Sequence, residues 1–192
     1  MTNARRSFPT SRLPPVFTIG HSTRKIDEFV EILRGEQVGF VVDVRTVPRS
    51  RTNPQYNFDV LAEELRPWQI GYERIGSLGG LRGRSRETVS DINGFWENQS
   101  FHNYADYALS DEFEAGLDEL MALSSNRRVA IMCAEAVWWR CHRRIIADYL
   151  ILHGREVIHL MGAGRIEPAR MTPAATQRDG HLVYPAPEEA PA

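Results

Sequence analysis

VGFVVDVR, residues 38–45, is β-branched and apolar until Asp43 and Arg45 interrupt it. A strand with one wet face alternates apolar and polar residues. One without alternation is covered on both sides, the pattern of a strand buried in a parallel sheet. RVAIMC (128–133) reads the same way, VFTIG (16–20) and REVIHL (155–160) are shorter candidates, and IGYERIG (70–76) is a weaker one. Between them lie helical patterns: RKIDEFVEILR (24–34), with Ile26, Phe29, Val30 and Leu33 on one face and Ser22 or Thr23 as cap; FDVLAEELR (58–66), ending before Pro67; 102–109 and 111–123; and 141–153, stopped by Gly154.

Strands alternating with helices predict one α/β domain. It is a Rossmann-like three-layer arrangement, with a mainly parallel sheet of about five strands and helices on both faces. Residues 1–15 read as a flexible arm, 16–184 as the domain, with HLVY (181–184) as an added edge strand, and 185–192 as a disordered tail. Strand order is not encoded in the spacing.

The chain has 192 residues, enough for one core and short for two. No apolar run approaches the roughly 18 residues of a membrane span, and the Arg-bearing N-terminus lacks the apolar segment of a secretory signal. Two cysteines without such a signal point to the reducing cytoplasm, where a structural disulfide is not expected. The net charge of −2 excludes a uniformly basic nucleic-acid binder. Charge is uneven, however. Arg45, Arg49, Arg51, Arg66, Arg74, Arg82, Arg84 and Arg86 face only Asp59, Glu63, Glu64 and Glu73 over the same stretch. Lys25 is the one lysine among 23 basic residues, a bias that codon usage produces on its own, so only arginine placement carries meaning.

Placement is informative at the strand ends. The first strand runs into Gly20-His21-Ser22 and the second ends in Asp43-x-Arg45, followed by Arg49 and Arg51. The third runs into Gly76-Ser77-Leu78-Gly79-Gly80, and the fourth ends in Cys133-x-Glu135. Open α/β sheets bind ligands beyond the carboxyl ends of their strands, so these four corners predict a common pocket. The run from Leu78 to Arg84 could cradle an anion on its backbone N–H groups, but it lacks G-K-[ST] and is not a P-loop.

The fourth corner, CAEAVWWRCHRR (133–144), has several readings. With Cys141, His142 and Arg143 opening a helix, it would be an anion site reinforced by Arg140 and Arg144, able to hold a thiolate at Cys133 or Cys141. Ordinary packing is the second reading. Zinc is the third, since Cys133, Glu135, Cys141 and His142 are donors it accepts. Against zinc, neighbours on a helix point about 100° apart, so Cys141 and His142 are not expected to share an ion. Phosphatase chemistry stands last, because Cys133 and Arg140 enclose six residues where that loop has five.

Thr18-Ile19-Gly20-His21-Ser22, Asp43-Val44-Arg45 with Pro48, Ser50 and Arg51, Leu78-Gly79-Gly80, Phe101-x-x-Tyr104-x-x-Tyr107 and Cys133-x-Glu135…Cys141-His142-Arg143 occur in this order over about residues 16–160. The set resembles the DUF488 family, a bacterial and archaeal group of unknown function. The resemblance implies a single α/β domain and supplies no activity or cofactor. Trp138 and Trp139 depart from the more polar loop often found there.

The leading expectation is an enzyme on a phosphate-bearing small molecule or nucleotide. Its candidate catalytic residues are Asp43, Glu135, His21 and Cys133, and its candidate binding residues are Arg45, Arg51, Gly79, Gly80, Cys141, His142 and Arg143. A nucleic-acid module using Tyr56, Trp68, Tyr72 and the Arg82/Arg84/Arg86 loop is the alternative, followed by a non-catalytic ligand-binding protein. In that last reading Tyr104, Tyr107, Phe113 and Leu117 would be core or a dimer face. Oligomeric state is left open.

Overall fold

The computed structural model describes residues 13–85 and 92–187. The expectations for residues 1–12, for Arg86 and for the tail beyond 187 fall outside them. Five parallel strands form the sheet: β1 (Val16–Gly20), β2 (Phe40–Asp43), β3 (Gly71–Arg74), β4 (Val129–Cys133) and β5 (Val157–Gly162). A sixth, β6 (Arg165–Pro168), runs antiparallel along β5, so the order is β3-β2-β4-β1-β5-β6. The expected edge strand at 181–184 does not join this sheet. It is β8 (His181–Val183), paired with β7 (Thr176–Arg178) in a separate ribbon. Asp179 (φ 49°) and Gly180 (φ 88°) make the two-residue turn whose twist suits a tight hairpin.

Alternate side chains of each strand enter opposite layers. Phe17, Ile19, Val41, Ala130 and Met132 pack beneath α1 (Ile26–Gly35) and α2 (Phe58–Leu65). Val16, Val42, Val129, Ile131 and Cys133 pack beneath α3 (Gln99–Tyr107), α4 (Asp111–Leu123) and α5 (Arg143–Leu152). Tyr104, Phe113 and Leu117 lie in this second core, and Tyr107 packs against it, so that aromatic stripe is internal. α1 starts at Ile26 after Lys25, with no side-chain cap. Ser22 takes a left-handed φ of 50° and turns the chain out of β1 instead. Among the described residues no helix is long and apolar enough to cross a membrane.

The β1→β2 connection passes over β4 on the α1 face, and the β4→β5 connection passes over β1 on the α5 face. The adjacent strands β1 and β4 therefore send their chains to opposite layers. A crevice opens between their carboxyl ends, where doubly wound sheets hold ligands.

Candidate functional site

On the α1–α2 side the crevice is floored by a buried ion pair. Arg45 grips Asp43 through Nε to Oδ1 at 2.8 Å and Nη2 to Oδ2 at 2.5 Å, and its own amide donates to Oδ1 at 3.0 Å. Tyr72 donates its hydroxyl to Oδ2 at 2.9 Å. Asp43 is fully buried, and these four bonds occupy both of its oxygens. Arg45 also donates to the Tyr56 carbonyl at 2.6 Å and to His21 Nε2 at 3.1 Å. His21 Nδ1 faces the Ser22 carbonyl at 2.8 Å; a carbonyl only accepts, so Nδ1 carries the hydrogen. The imidazole stacks on Tyr56, centroids 4.1 Å apart. Burial, assisted by the Arg45 charge, lowers His21 to about 4 against a weaker upward pull from the Ser22 carbonyl. It is a neutral ring with both nitrogens engaged.

The α3–α5 side holds the thiols. Cys133 and Cys141 are both free and buried. Trp138–Arg140 form a 3₁₀ turn and Cys141 is extended (φ −130°, ψ 144°), with α5 beginning only at Arg143. The expected helix from 141 is therefore shorter, and the argument that Cys141 and His142 must diverge does not apply. Their donor atoms converge with Cys133: Sγ, Sγ and an imidazole nitrogen all lie within 4.8 Å of one another. His142 donates from Nε2 to the Val44 carbonyl at 2.9 Å, and its Nδ1 stands 3.6 Å from Cys141 Sγ. Arg143, buried, donates to Cys141 Sγ at 3.2 Å and to the Glu135 carbonyl at 2.5 Å. Burial opposes ionisation of Cys141. The hydrogen bond with Cys133 and the Arg143 charge outweigh it and hold this thiol well below its usual range. Cys133, sharing that bond and buried, is pushed up. The shared hydrogen bond thus favours proton loss from Cys141 over Cys133.

A cleft of about 420 Å³ runs between the two sides, with walls from three strand ends. His21, Ser22 and Thr23 follow β1; Arg45, Arg49, Ser50 and Asn53 follow β2; Ala134, Glu135 and Ala136 follow β4. Glu135 also borders a smaller cavity of about 130 Å³ with Gly80, Phe101, Arg140, Cys141 and His142. Its side chain is exposed, while its carbonyl is held by Arg143 and lies where a Cβ on Gly20 would fall. Arg49 reaches Asp59 at 3.2 Å, but both are largely exposed, and such a surface pair is weak.

Of the residues singled out from the sequence, His21, Asp43 and Arg45 form one hydrogen-bonded cluster, and Cys133, Cys141, His142 and Arg143 form another. Glu135 stands between them. Arg51 is exposed on its loop and does not line the cleft. Gly79 and Gly80 serve close packing. The Gly79 amide donates to Gly76 and the Leu81 amide to Thr46 Oγ1, and a Cβ on Gly80 would run into the His142 ring. Of the proposed nucleic-acid face, Trp68 and Arg84 are exposed, with Arg34 over the Trp68 ring, whereas Tyr56, Tyr72 and Arg82 are engaged internally. Tyr56 is buried, Tyr72 is tied to Asp43, and Arg82 lies over Tyr107 while bonding the carbonyls of Gly76, Ser77 and Gly79. His159 was not singled out. It bonds Thr18 Oγ1 at 2.8 Å and stacks on Trp138 at 4.3 Å.

The fold and crevice define the class: a doubly wound α/β protein with a polar-lined cleft at its switch point. A family model described as Domain of unknown function DUF488 matches residues 25–150, and the chain belongs to this family. No curated protein and no solved structure matches it.

Proposed function

We propose that the protein is an enzyme acting on a small anionic molecule, of the phosphate-bearing or nucleotide class, bound in the cleft beyond β1, β2 and β4. The observation carrying this reading is the lining itself: two guanidinium groups, three hydroxyls and the Asn53 amide against one carboxylate, Glu135. Arg49 is the cation that meets the charged group, since its acidic partner among the described residues is the exposed Asp59. Arg45 is held by Asp43 and positions the floor. Glu135 is the acid/base group, because His21 and Asp43 have their polar atoms engaged elsewhere in the floor. The two free thiols accord with a reducing, cytoplasmic setting.

The test is a thermal-shift panel of nucleotides, sugar phosphates, inorganic phosphate and short oligonucleotides. A ligand at a hundred times its Kd stabilises by about 2.7 kcal/mol. A shift with one phosphate class, lost in Arg49→Ala, supports the reading. Shifts only with oligonucleotides, weakening steeply with salt, would replace it with nucleic-acid binding.

A further inference from the structure

The α3–α5 side of the crevice carries a donor set that the anion reading does not use. We propose that Cys133, Cys141 and His142 bind one divalent cation of the zinc class, with its fourth coordination position open toward the small cavity at Glu135. Three observations converge on this.

The first is spacing. Zinc–sulfur bonds of about 2.3 Å and zinc–nitrogen bonds of about 2.0–2.1 Å at a tetrahedral angle place the two donors about 3.6 Å apart. Cys141 Sγ and His142 Nδ1 stand 3.6 Å apart. Two sulfurs on the same ion would lie about 3.8 Å apart, and all three donor atoms here fall within 4.8 Å of one another.

The second is orientation. A metal-bound imidazole usually has its other nitrogen fixed by a carbonyl or carboxylate, which sets the tautomer. His142 Nε2 donates to the Val44 carbonyl at 2.9 Å, so in the neutral ring the free lone pair is on Nδ1, the nitrogen beside Cys141. The ring is held between Tyr104, 5.0 Å away, and Gly80, whose missing side chain leaves the space.

The third is charge and access. Two thiolates balance a divalent ion, and the buried Arg143 already donates to Cys141 Sγ. Cys141 and His142 line a cavity of about 130 Å³ that also reaches Ser100, Phe101, Glu135 and Arg140. Three protein donors with one side facing a cavity is the layout of a reactive zinc site rather than a closed structural one.

Cobalt(II) titration of the reduced 192-residue chain tests this. The expected result is one equivalent bound, with the visible bands of tetrahedral cobalt and near-ultraviolet sulfur-to-cobalt absorption, both displaced by zinc. Cys141→Ser and His142→Gln should weaken binding by more than the roughly 10–100-fold that loss of an outer-shell partner costs. Arg49→Ala should leave the cobalt spectrum intact, which separates this site from the anion cleft. Azide should shift the visible bands by entering the open position; bands unmoved by azide would sink the open-position assignment. Absence of cobalt bands in protein that titrates for two free thiols would overturn the proposal. So would full affinity in both ligand variants.

Discussion

Arg45 and Asp43 meet side-on in the floor of the crevice, Nε to Oδ1 at 2.8 Å and Nη2 to Oδ2 at 2.5 Å, with neither side chain reaching water to any extent. Removing one partner of such a pair leaves the other charge buried and unpaired. Asp43→Asn is therefore expected to lower folding stability by about 3–5 kcal/mol. Urea denaturation measures it, and a loss below about 1 kcal/mol would mean that the pair is solvated in solution.

Stability should fall in mild acid. Burial lowers both His21 and His159 from 6.5 to about 4. Between those values the unfolded chain binds the protons and the folded chain does not. Their contribution is complete above pH 6.5 and is lost as the pH drops toward 4. Asp148, raised by burial from 3.8 to about 6, acts oppositely over much of the same range and offsets part of the loss. The net effect is on the order of 4 kcal/mol, since each pKa unit is worth about 1.4 kcal/mol. Denaturation midpoints at several pH values should decline accordingly, with a shallower decline in His159→Gln. A flat profile would contradict the burial of these rings.

Two glycines should respond oppositely to alanine. A Cβ at Gly20 would meet the carbonyl and main chain of Glu135 and Ala136, neither of which can move aside cheaply. Gly20→Ala is expected to cost about 1–3 kcal/mol or more. Gly35, the last residue of α1, has open space around its Cβ position. Gly35→Ala should be neutral or stabilising by up to about 1 kcal/mol. Melting temperatures of the two variants compare them directly.

The Tyr56 hydroxyl is buried with no hydrogen-bond partner among the described residues, while its ring stacks on His21 and its carbonyl serves Arg45. Tyr56→Phe keeps the ring and the carbonyl and removes the orphaned group. The expected change is between zero and a gain of about 1 kcal/mol, since an unsatisfied buried hydroxyl carries a desolvation cost. A clear loss of stability would reveal a partner for this hydroxyl in solution.

The parallel sheet was legible because β2 and β4 show no polar alternation, and VFTIG coincides with β1 residue for residue. β6 escaped notice because RIEP is wholly exposed and so has no apolar signature. The Asp179-Gly180 pair was a legible hairpin signal that the tail's Pro/Ala content obscured. At the site, residues chosen by strand-end position lie together: His21 with Asp43 and Arg45, and Cys133 with Cys141. The meeting of Cys141 with His142 was not legible, because it depends on one extended residue between a 3₁₀ turn and α5. Tyr72 was equally hidden, since its hydroxyl crosses from β3 to an acceptor at the end of β2. Pairing of that kind follows from strand order, which spacing along the chain does not carry.

Glu135 has a main chain fixed from two sides, by Arg143 and by Gly20, and a side chain free of the core. Scaffold and reagent are thus separated within a single residue. Exchanging the carboxylate for an amide, a hydroxyl or a thiol would alter what the crevice offers a ligand without asking the fold to adjust. Position 135 is therefore where selection, natural or in the laboratory, could retune this domain at the least structural risk.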